Sequence, residues 1–218
     1  MPASRRSFVL RHTRLRPVPG LGGVRLHLAD DALALWRAVQ LETGDPDTPL
    51  PFWGFAWGGG LALARFLGER PAAVRGRRVL DVASGSGLCA IVAMLAGASG
   101  VTAVDIDPFA IAAIEVNAKA NGVRLAVARR DVLDDAPPPA DVVLAADWAY
   151  EERLAGRVLP WLQRAALAGS EVLIGDPGRR YLPVDALEQL AVYEVRTTTE
   201  LEDLALKRGR VYGLRPAG

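Results

Sequence analysis

The residues best suited to chemistry are Asp81 and Asp105, each near the carboxyl end of a short apolar segment. Between them lie the small residues A-S-G-S-G at 83–87, followed by an apolar pattern typical of a helix. This order predicts a buried strand, a glycine-rich turn and a helix start, because glycine lets the backbone turn sharply close to a ligand. Asp105 follows Gly85 by twenty residues, a spacing at which an acid can accept hydrogen bonds from both hydroxyls of a ribose. Together these features predict a nucleoside cofactor.

The form of the glycine turn indicates which cofactor this is. A dinucleotide turn, G-x-G-x-x-G/A, is nominally satisfied by Gly85, Gly87 and Ala90. Asp81 argues against a dinucleotide, because a carboxylate just ahead of the turn repels a pyrophosphate and attracts an ammonium or sulfonium group. The pattern D-x-A-S-G-S-G, paired with Asp105, resembles the first motif of the class I S-adenosylmethionine-dependent methyltransferases. S-adenosylmethionine is therefore the expected cofactor, and a glycine turn of another α/β protein is the structural alternative.

A second unusual segment, P-F-W-G-F-A-W-G-G-G at residues 51–60, places four aromatic side chains in six positions before three glycines. One interpretation is a hydrophobic lid packed on the sheet edge. In the other, Trp57 and the glycines line the methionine side of the cofactor, while Phe52, Trp53 and Phe55 line the substrate entrance. Both interpretations can hold for different residues.

The end of the fourth predicted core strand carries the sequence A-D-W-A-Y at residues 146–150. Ligands of open α/β sheets bind outside the carboxyl ends of the strands, so the substrate is expected there. Asp147 is the candidate for holding an incoming ammonium and orienting the free amine, and Tyr150 can offer a hydroxyl or an aromatic face to the same cation. The alternative is that Asp147 caps the following helix, Glu151 to Ala168, with Trp148 as its hydrophobic staple.

The remaining predicted site residues extend these two groups. Asp131, just past the third core strand, is expected to accept a hydrogen bond from the adenine amino group, although an aspartate that opens a turn is a common structural feature. The cofactor site is also predicted to include Ala83, Ile106 and Ala146. Phe52, Trp53 and Trp148 are predicted to contact the substrate.

Length and composition are typical of one globular domain: 218 residues, of which 50% are hydrophobic and 23% charged. The net charge of +1 gives no general attraction to nucleic acid or an anionic membrane, and no apolar stretch approaches the ~18 residues of a membrane span. The single cysteine, Cys89, cannot form an internal disulfide, and no residues have metal-ligand spacing. We therefore expect a cytoplasmic protein, or a mitochondrial-matrix one in a eukaryote, without metal, nucleic-acid or membrane partners.

The N-terminal segment allows two interpretations. Its first 29 residues contain six arginines and no acid, which is similar to a mitochondrial transit peptide. The alternating segment Val24 to Leu28 and a helix from Ala32 to about Val39, capped by Asp30 and Asp31, are instead typical of a folded domain. We predict one domain over 1–218, with an N-terminal extension and aromatic lid at 1–60 and a cofactor-binding core at 61–218.

The order of strands and helices predicts an α/β fold with a seven-stranded sheet: five parallel strands, then an antiparallel β-hairpin, with helices on both faces. The parallel strands are expected at Arg78 to Val82, Val101 to Val104, Arg124 to Ala128, Asp141 to Ala145 and Glu171 to Gly175. A short helix near Asp185 to Leu190 should precede the last two strands, Val192 to Thr197 and Arg208 to Leu214. The linking segment, with Glu200, Glu202 and Asp203, is either a solvated acidic loop or a docking edge for a basic substrate.

Several motifs together resemble one methyltransferase family. In chain order they are residues 24–31, the segment 51–60, the glycine turn 79–88, V-D-I-D-P at 104–108, D-V-V-L-A-A-D-W-A-Y at 141–150 and G-D-P-G-R-R-Y-L-P at 175–183. From about Phe8 to Leu214 the chain is similar to the electron-transfer-flavoprotein β-subunit lysine methyltransferases and their bacterial relatives. The resemblance implies that D-x-x-Y, here Asp147 to Tyr150, marks a protein-lysine methyltransferase, with the flavoprotein β-subunit as the best candidate substrate. Gly58 departs from the pattern, because many relatives have proline there.

Three other functions stay open from the sequence. A small-molecule N-methyltransferase would need a closed pocket, whereas a protein substrate would need an open groove over Phe52, Trp53 and Tyr150. A ribosomal-protein methyltransferase is a further alternative. The third alternative is a non-catalytic binding module with the same fold, and the presence of both Asp147 and Tyr150 argues against it.

Overall fold

The structure is a computed structural model that describes residues 4–197 and 206–215. The strands are β1 (Arg14–Pro17), β2 (Arg25–Leu28), β3 (Arg78–Val82), β4 (Gly100–Asp105), β5 (Ala126–Arg129), β6 (Val142–Ala146), β7 (Glu171–Asp176), β8 (Leu187–Arg196) and β9 (Leu206–Leu214). The α-helices are α1 (Arg5–His12), α2 (Ala32–Thr43), α3 (Gly58–Glu69), α4 (Leu88–Leu95), α5 (Pro108–Ala120) and α6 (Glu152–Leu167). Short 3-10 helices lie at Phe52–Gly54, Pro71–Ala73 and Val184–Ala186.

The main sheet has the strand order β5-β4-β3-β6-β7-β9-β8. Strands β3 to β7 are parallel, and β9 runs antiparallel to both β7 and β8. Helices α3 and α4 pack on one face and α6 packs on the other. The predicted fold class is confirmed. The chain winds outward from β3 in one direction and then from β6 in the other, so the expected ligand crevice lies between the carboxyl ends of β3 and β6.

The boundaries of the predicted parallel strands agree with the structure to within two residues. The C-terminal hairpin differs, because β8 begins at Leu187, where a helix was predicted. Residues Leu187–Gln189 pair with β9 across the sheet edge, and the register shifts once between Gln189 and Ala191. The cross-strand hydrogen bonds of this long ladder outweigh the weak local helical pattern. The acidic residues Glu200, Glu202 and Asp203 lie outside the described residues.

Helix α3 begins at Gly58, so the three glycines 58–60 form its first turn. Its first turn lies directly on the sheet: a Cβ on Gly59 would overlap the backbone carbonyl of Gly175 in β7. A Cβ on Gly209 of β9 would lie 2.6 Å from the carbonyl oxygen of Gly58. Glycine is needed here because two backbones come into contact, not because the chain turns.

The N-terminal elements pack against the core. Phe8 and Val9 of α1 are buried, and Phe8 contacts Phe109 with ring centroids 4.9 Å apart. The ribbon formed by β1 and β2 is attached to α5, since the His27 amide donates to Asn117 Oδ1 at 2.7 Å. Asp31 caps α2 by accepting from the Ala34 amide, as predicted. Over the described ranges 4–197 and 206–215, no helix is long and apolar enough to cross a membrane.

Candidate active site

The turn after β3 requires glycine at two positions, for a different structural reason at each. Gly85 and Gly87 both have left-handed backbones, with φ of +55° and +82°. A Cβ on Gly87 would lie 3.3 Å from Ile114, so this glycine allows α5 to pack closely. A Cβ on Gly85 would meet nothing nearer than 4.0 Å. The space above Gly85 is therefore open for a ligand. Ala83 has φ of +52°, an uncommon conformation for a residue with a side chain.

Asp105 joins the end of β4 to the glycine turn. Its carboxylate accepts hydrogen bonds from the Gly85 amide and the Asp107 amide, both at 2.9 Å. Burial raises the pKa of Asp105, and these two amides partly counteract the shift. A carboxylate offers about four acceptor sites, so about two stay available for further donors such as hydroxyls. The spacing that motivated the prediction thus corresponds to direct contact between the turn and the acid.

Asp81 is buried beneath the turn. Its Oδ2 accepts hydrogen bonds from the Ser84 hydroxyl and, at 3.1 Å, from the Ala90 amide at the start of α4. Burial raises the pKa of Asp81 to about 7, the two hydrogen bonds oppose the shift, and the negative charge of Asp105 adds to it. A cation bound nearby would favour the ionised form of this carboxyl group.

The other predicted cofactor residues lie around the same crevice. Ile106, directly after β4, leaves 64% of its surface exposed and offers an apolar face beside Asp105. Ala146 is half-buried at the end of β6. Asp131 lies in the loop after β5, where its carboxylate accepts from the Leu133 amide and from Arg157, each at 3.0 Å. Asp131 therefore already has a structural role in tying this loop to α6, and its contact with adenine stays a prediction.

Asp147 caps a helix, but not the one that follows it. The N-cap of α6 is Glu151, whose side chain makes no capping hydrogen bond. The Asp147 carboxylate instead accepts from the amides of Gly59 at 3.1 Å and Gly60 at 2.6 Å, in the first turn of α3. Its Oδ1 also accepts from Arg179 Nη2 at 3.1 Å. The alternative that Asp147 caps the following helix is therefore wrong, and its bond to the Gly59 amide joins residues 88 positions apart in the chain.

The environment of Asp147 combines burial with positive charge. Burial raises the pKa of Asp147 to about 6, and the nearby Asp176 adds to the shift. The charge of Arg179 and the amides of α3 oppose it. Asp147 has a left-handed backbone, with φ of +58°, which aims the carboxylate back toward α3. Three of its roughly four acceptor sites are occupied.

An aromatic surface lies beside this carboxylate. We define it by Phe52, Trp57 and Tyr150. The Phe52 ring centroid is 5.1 Å from that of Tyr150 and 5.7 Å from that of Trp57. The Trp57 indole donates to the Phe52 carbonyl oxygen at 2.8 Å, which fixes its orientation. Tyr150 is 41% exposed, so the surface opens to solvent. It is continuous with a shallow cleft lined by Tyr150, Glu151, Glu152, Arg153 and Tyr181.

The structure does not bring every predicted substrate residue to this surface. Trp53 and Trp148 are only 1% and 3% exposed, and Phe55 is buried as well. Trp53 stacks on Phe109 at 6.2 Å between centroids, and Trp148 packs with residues of β6 and α6. None of these three side chains has surface to offer a substrate, because the packing of the N-terminal elements and of α6 covers them. The aromatic segment is therefore partly a buried lid and partly a candidate site, so each interpretation of the sequence holds for some of its residues.

Two polar residues that the sequence did not single out, Asp176 and Arg179, complete the site. Asp176 ends β7, and its Oδ1 accepts from the amides of Gly178 at 2.6 Å and Arg179 at 2.7 Å. Its Oδ2 is buried and makes no hydrogen bond within the described part of the chain. The local sequence D-P-G at 176–178 is typical of a turn and by itself does not indicate a site. Its position beside D-W-A-Y in the parallel sheet was the available signal, since the ends of adjacent strands β6 and β7 must meet.

The strand order, the glycine turn and the acid at the end of β4 define a class I methyltransferase. A profile of the ribosomal protein L11 methyltransferase (PrmA) family matches residues 67–149. The electron transfer flavoprotein beta subunit lysine methyltransferase of Xenopus laevis is 36% identical over 97% of this chain and 87% of its own length. The enzyme of that name from Rattus norvegicus is 37% identical over 76% of this chain and 68% of its own length.

Solved structures give the same assignment at the level of the fold. The ribosomal protein L11 methylase of Lactobacillus delbrueckii subsp. bulgaricus aligns with a TM-score of 0.51 and 25% identity, over 70% of this chain and 77% of its own. The chain belongs to the electron transfer flavoprotein beta subunit lysine methyltransferase family, and the predicted family is confirmed.

Proposed function

We propose that this protein transfers a methyl group from S-adenosylmethionine to a lysine ε-amine of a protein, and that the protein is the electron transfer flavoprotein β-subunit. The observation that carries the proposal is a buried carboxylate, Asp147, which is bonded to the glycines that begin α3 and lies beside the exposed aromatic surface. Membership of a family whose named relatives act on that β-subunit supports the choice of substrate.

Several features of the crevice fit S-adenosylmethionine, which when bound supplies an activated methyl group. Asp105 has free acceptor sites for the ribose hydroxyls, and the open space above Gly85 lets the backbone approach the ligand. The exposed side chain of Ile106 can pack against the adenine ring. Asp81 would stabilise the positively charged methionine end of the cofactor, because a nearby cation favours its ionised form.

The chemistry of the acceptor is assigned to Asp147 and the aromatic surface. A lysine amine attacks only when it is uncharged, so the site must bind the free amine and direct its lone pair at the methyl group. Asp147 has about one acceptor site left, which can take a hydrogen bond from the amine N–H. Phe52, Trp57 and Tyr150 can pack along the lysine alkyl chain and stabilise the cationic product.

An exposed rather than enclosed acceptor surface favours a protein over a small molecule as substrate. Tyr150 is 41% exposed, and the cleft beside it is shallow. Small-molecule sites usually bury most of their ligand in a concave pocket. The side chain of a lysine on a protein needs only a narrow approach, because the rest of the substrate stays on the surface.

The proposal is tested by incubating the protein with radiolabelled S-adenosylmethionine and purified flavoprotein β-subunit from the same organism. We expect label in the β-subunit, at a lysine identified by peptide mass spectrometry. A parallel reaction contains a β-subunit in which that lysine is replaced by arginine, and it should stay unlabelled. A further reaction uses a whole lysate of the organism as the source of substrates. Label found only in the small-molecule fraction of that lysate would contradict the assignment of a protein substrate.

A further inference from the structure

A permanent cation lies where the acceptor amine is expected. Arg179 Nη2 donates to Asp147 Oδ1 at 3.1 Å, and the guanidinium carbon is 5.7 Å from the centroid of the Trp57 ring. Both charged side chains of this pair are largely buried. Arginine keeps its charge at any pH that a folded protein tolerates. The carboxylate and the aromatic surface are therefore linked by the guanidinium group of Arg179.

The position of Arg179 is determined by its backbone. The Asp176 carboxylate accepts from the Arg179 amide at 2.7 Å and from the Gly178 amide at 2.6 Å. Two residues further on, the Tyr181 amide donates to the Ala149 carbonyl oxygen at 3.3 Å. The loop that carries Arg179 is thus attached to the end of β7 on one side and to the segment after β6 on the other.

This arrangement changes what Asp147 can do for an amine. The two α3 amides and Arg179 already compensate its negative charge, so the carboxylate has little capacity to hold a second cation. An ammonium placed beside Arg179 is disfavoured relative to the free amine, because like charges repel. Asp147 can still accept a hydrogen bond from a neutral amine. The pair therefore discriminates between the two forms of lysine.

We propose that Arg179 is a positioning residue that stays paired with Asp147 during the reaction and selects the uncharged form of the target lysine. This inference rests on the proposed function. The lysine ammonium first releases a proton to solvent water. The amine lone pair then forms the N–C bond while the electrons of the S–C bond move to sulfur, and the methylated ammonium product carries the positive charge away from the site.

Other charged or titratable groups act on the pair from neighbouring elements. Cys89 of α4 and Asp176 of β7 interact with Asp147, and Tyr150, before α6, interacts with Arg179. One step further out, Asp105 and Glu151 act on Tyr150, and Arg210 of β9 acts on Asp176. Burial raises the pKa values of Cys89 and Tyr150, so both groups are neutral near pH 7. Asp176 opposes the effect of Arg179 on Asp147. Arg179 is the cation that contacts the Asp147 carboxylate directly.

The test is the pH dependence of kcat, which reports groups in the enzyme–substrate complex. Saturating S-adenosylmethionine and flavoprotein β-subunit are used with the wild-type protein, Arg179→Gln, Arg179→Lys and the matched control Arg180→Gln. Arg180 adjoins Arg179 in the same loop, but its guanidinium lies over Tyr181 instead. For Arg179→Gln we expect kcat at pH 7 to fall about tenfold and the acidic limb to move up by about one pH unit.

At high pH the Arg179→Gln protein should recover to within about twofold of wild type, because the amine is then uncharged without help. Arg179→Lys should keep most of the wild-type profile, and Arg180→Gln all of it. A uniform loss at every pH would show a packing role and overturn the proposal. Unchanged or faster turnover at neutral pH would also overturn it, since Arg179 would then be irrelevant or would block the site.

A second measurement separates this inference from the proposed function. The carboxyl carbon of Asp147 is titrated by NMR in the cofactor-free wild type and in Arg179→Gln. We expect the pKa of Asp147 to be higher in the variant by about one unit. Equal pKa values in the two proteins would contradict the inference even if lysine methylation is confirmed. If the β-subunit is not methylated by the wild type, the proposed function fails while this titration still measures the Arg179 effect.

Discussion

Asp147 and Gly60 are joined by a hydrogen bond of 2.6 Å that runs from the first turn of α3 to the carboxylate at the end of β6. The two residues are 87 positions apart in the chain. The glycine segment and the D-x-x-Y segment are therefore parts of one site. The same carboxylate that we assign to the acceptor amine also holds the helix that begins at the aromatic segment, so the proposed catalytic role and local stability depend on one group.

The first prediction concerns the cofactor. Asp105→Ala removes the proposed acceptor for the ribose hydroxyls and also releases the Gly85 amide, so affinity for S-adenosylmethionine should fall by about 2 kcal/mol or more. Calorimetric titration measures this. Asp134→Ala, which removes an exposed acid that pairs with Arg157, is the charge-matched control and should bind normally. Unchanged affinity in a folded Asp105→Ala protein would remove this residue from the site.

The second prediction concerns Asp147. Asparagine keeps the size but provides only one acceptor oxygen, so Asp147→Asn loses the ion pair with Arg179 and one bond to α3. We expect turnover to fall about 100-fold or more and the free energy of unfolding to fall by about 1–3 kcal/mol. Activity is measured far below the melting temperature, so that both effects are seen separately.

The control for this variant is Asp31→Asn, because Asp31 caps α2 through the Ala34 amide, outside the candidate site, and asparagine caps about as well as aspartate. The control variant should change neither turnover nor the free energy of unfolding by much. Near-normal methyl transfer by Asp147→Asn would refute the acceptor role and leave Asp147 as a structural cap of α3 alone.

The third prediction is a pH dependence of stability that comes from Asp81. Its folded pKa is raised from an ordinary 3.8 to about 7, so between these values the folded state binds more protons than the unfolded state. This contribution to stability is fully present below about pH 4 and is lost as the pH rises to about 7. Asp147, with a pKa raised to about 6, contributes with the same sign.

Asparagine resembles the protonated form of Asp81. We therefore expect Asp81→Asn to be more stable than wild type at pH 8, by roughly 2–4 kcal/mol, and similar to it near pH 4. Urea unfolding of both cofactor-free proteins at the two pH values provides the comparison. A constant difference between the two proteins at both pH values would show that the carboxyl group does not titrate as described.

The fourth prediction tests the contact between α3 and the sheet. Gly59→Ala would force a Cβ against the Gly175 carbonyl, and we expect a loss of about 1–3 kcal/mol in the free energy of unfolding. Gly68, in the same helix, offers a matched control because a Cβ there meets nothing within 4 Å. Gly68→Ala should stabilise the protein by about 0.5–1 kcal/mol through helix propensity. Thermal or urea unfolding of the two variants should give opposite signs.

Local sequence patterns were sufficient to predict the buried strand, the glycine turn after it and an acid close to that turn. The turn around Gly85, its left-handed backbone and the acid twenty residues later all lie within one strand-turn-helix-strand unit. In such a unit the parallel pairing of β3 with β4 leaves little freedom in where Asp105 can lie. The alternation of strands and helices likewise predicted the order of the parallel elements and the antiparallel end of the sheet.

The arrangement of the residues that we assign to the acceptor amine was decided by tertiary packing. Nothing local distinguishes Phe52, which lies on the exposed aromatic surface, from Trp53, which is buried against α5. Asp147 was recognised as a candidate from its position, but its partners come from α3 and from the loop after β7. The sequence alone determined which residues are chemically suitable for a site and at which strand ends they lie. Which of them face one another depended on contacts between distant segments, such as Gly59 and Asp147, which are 88 positions apart, and those contacts exist only once the sheet has assembled.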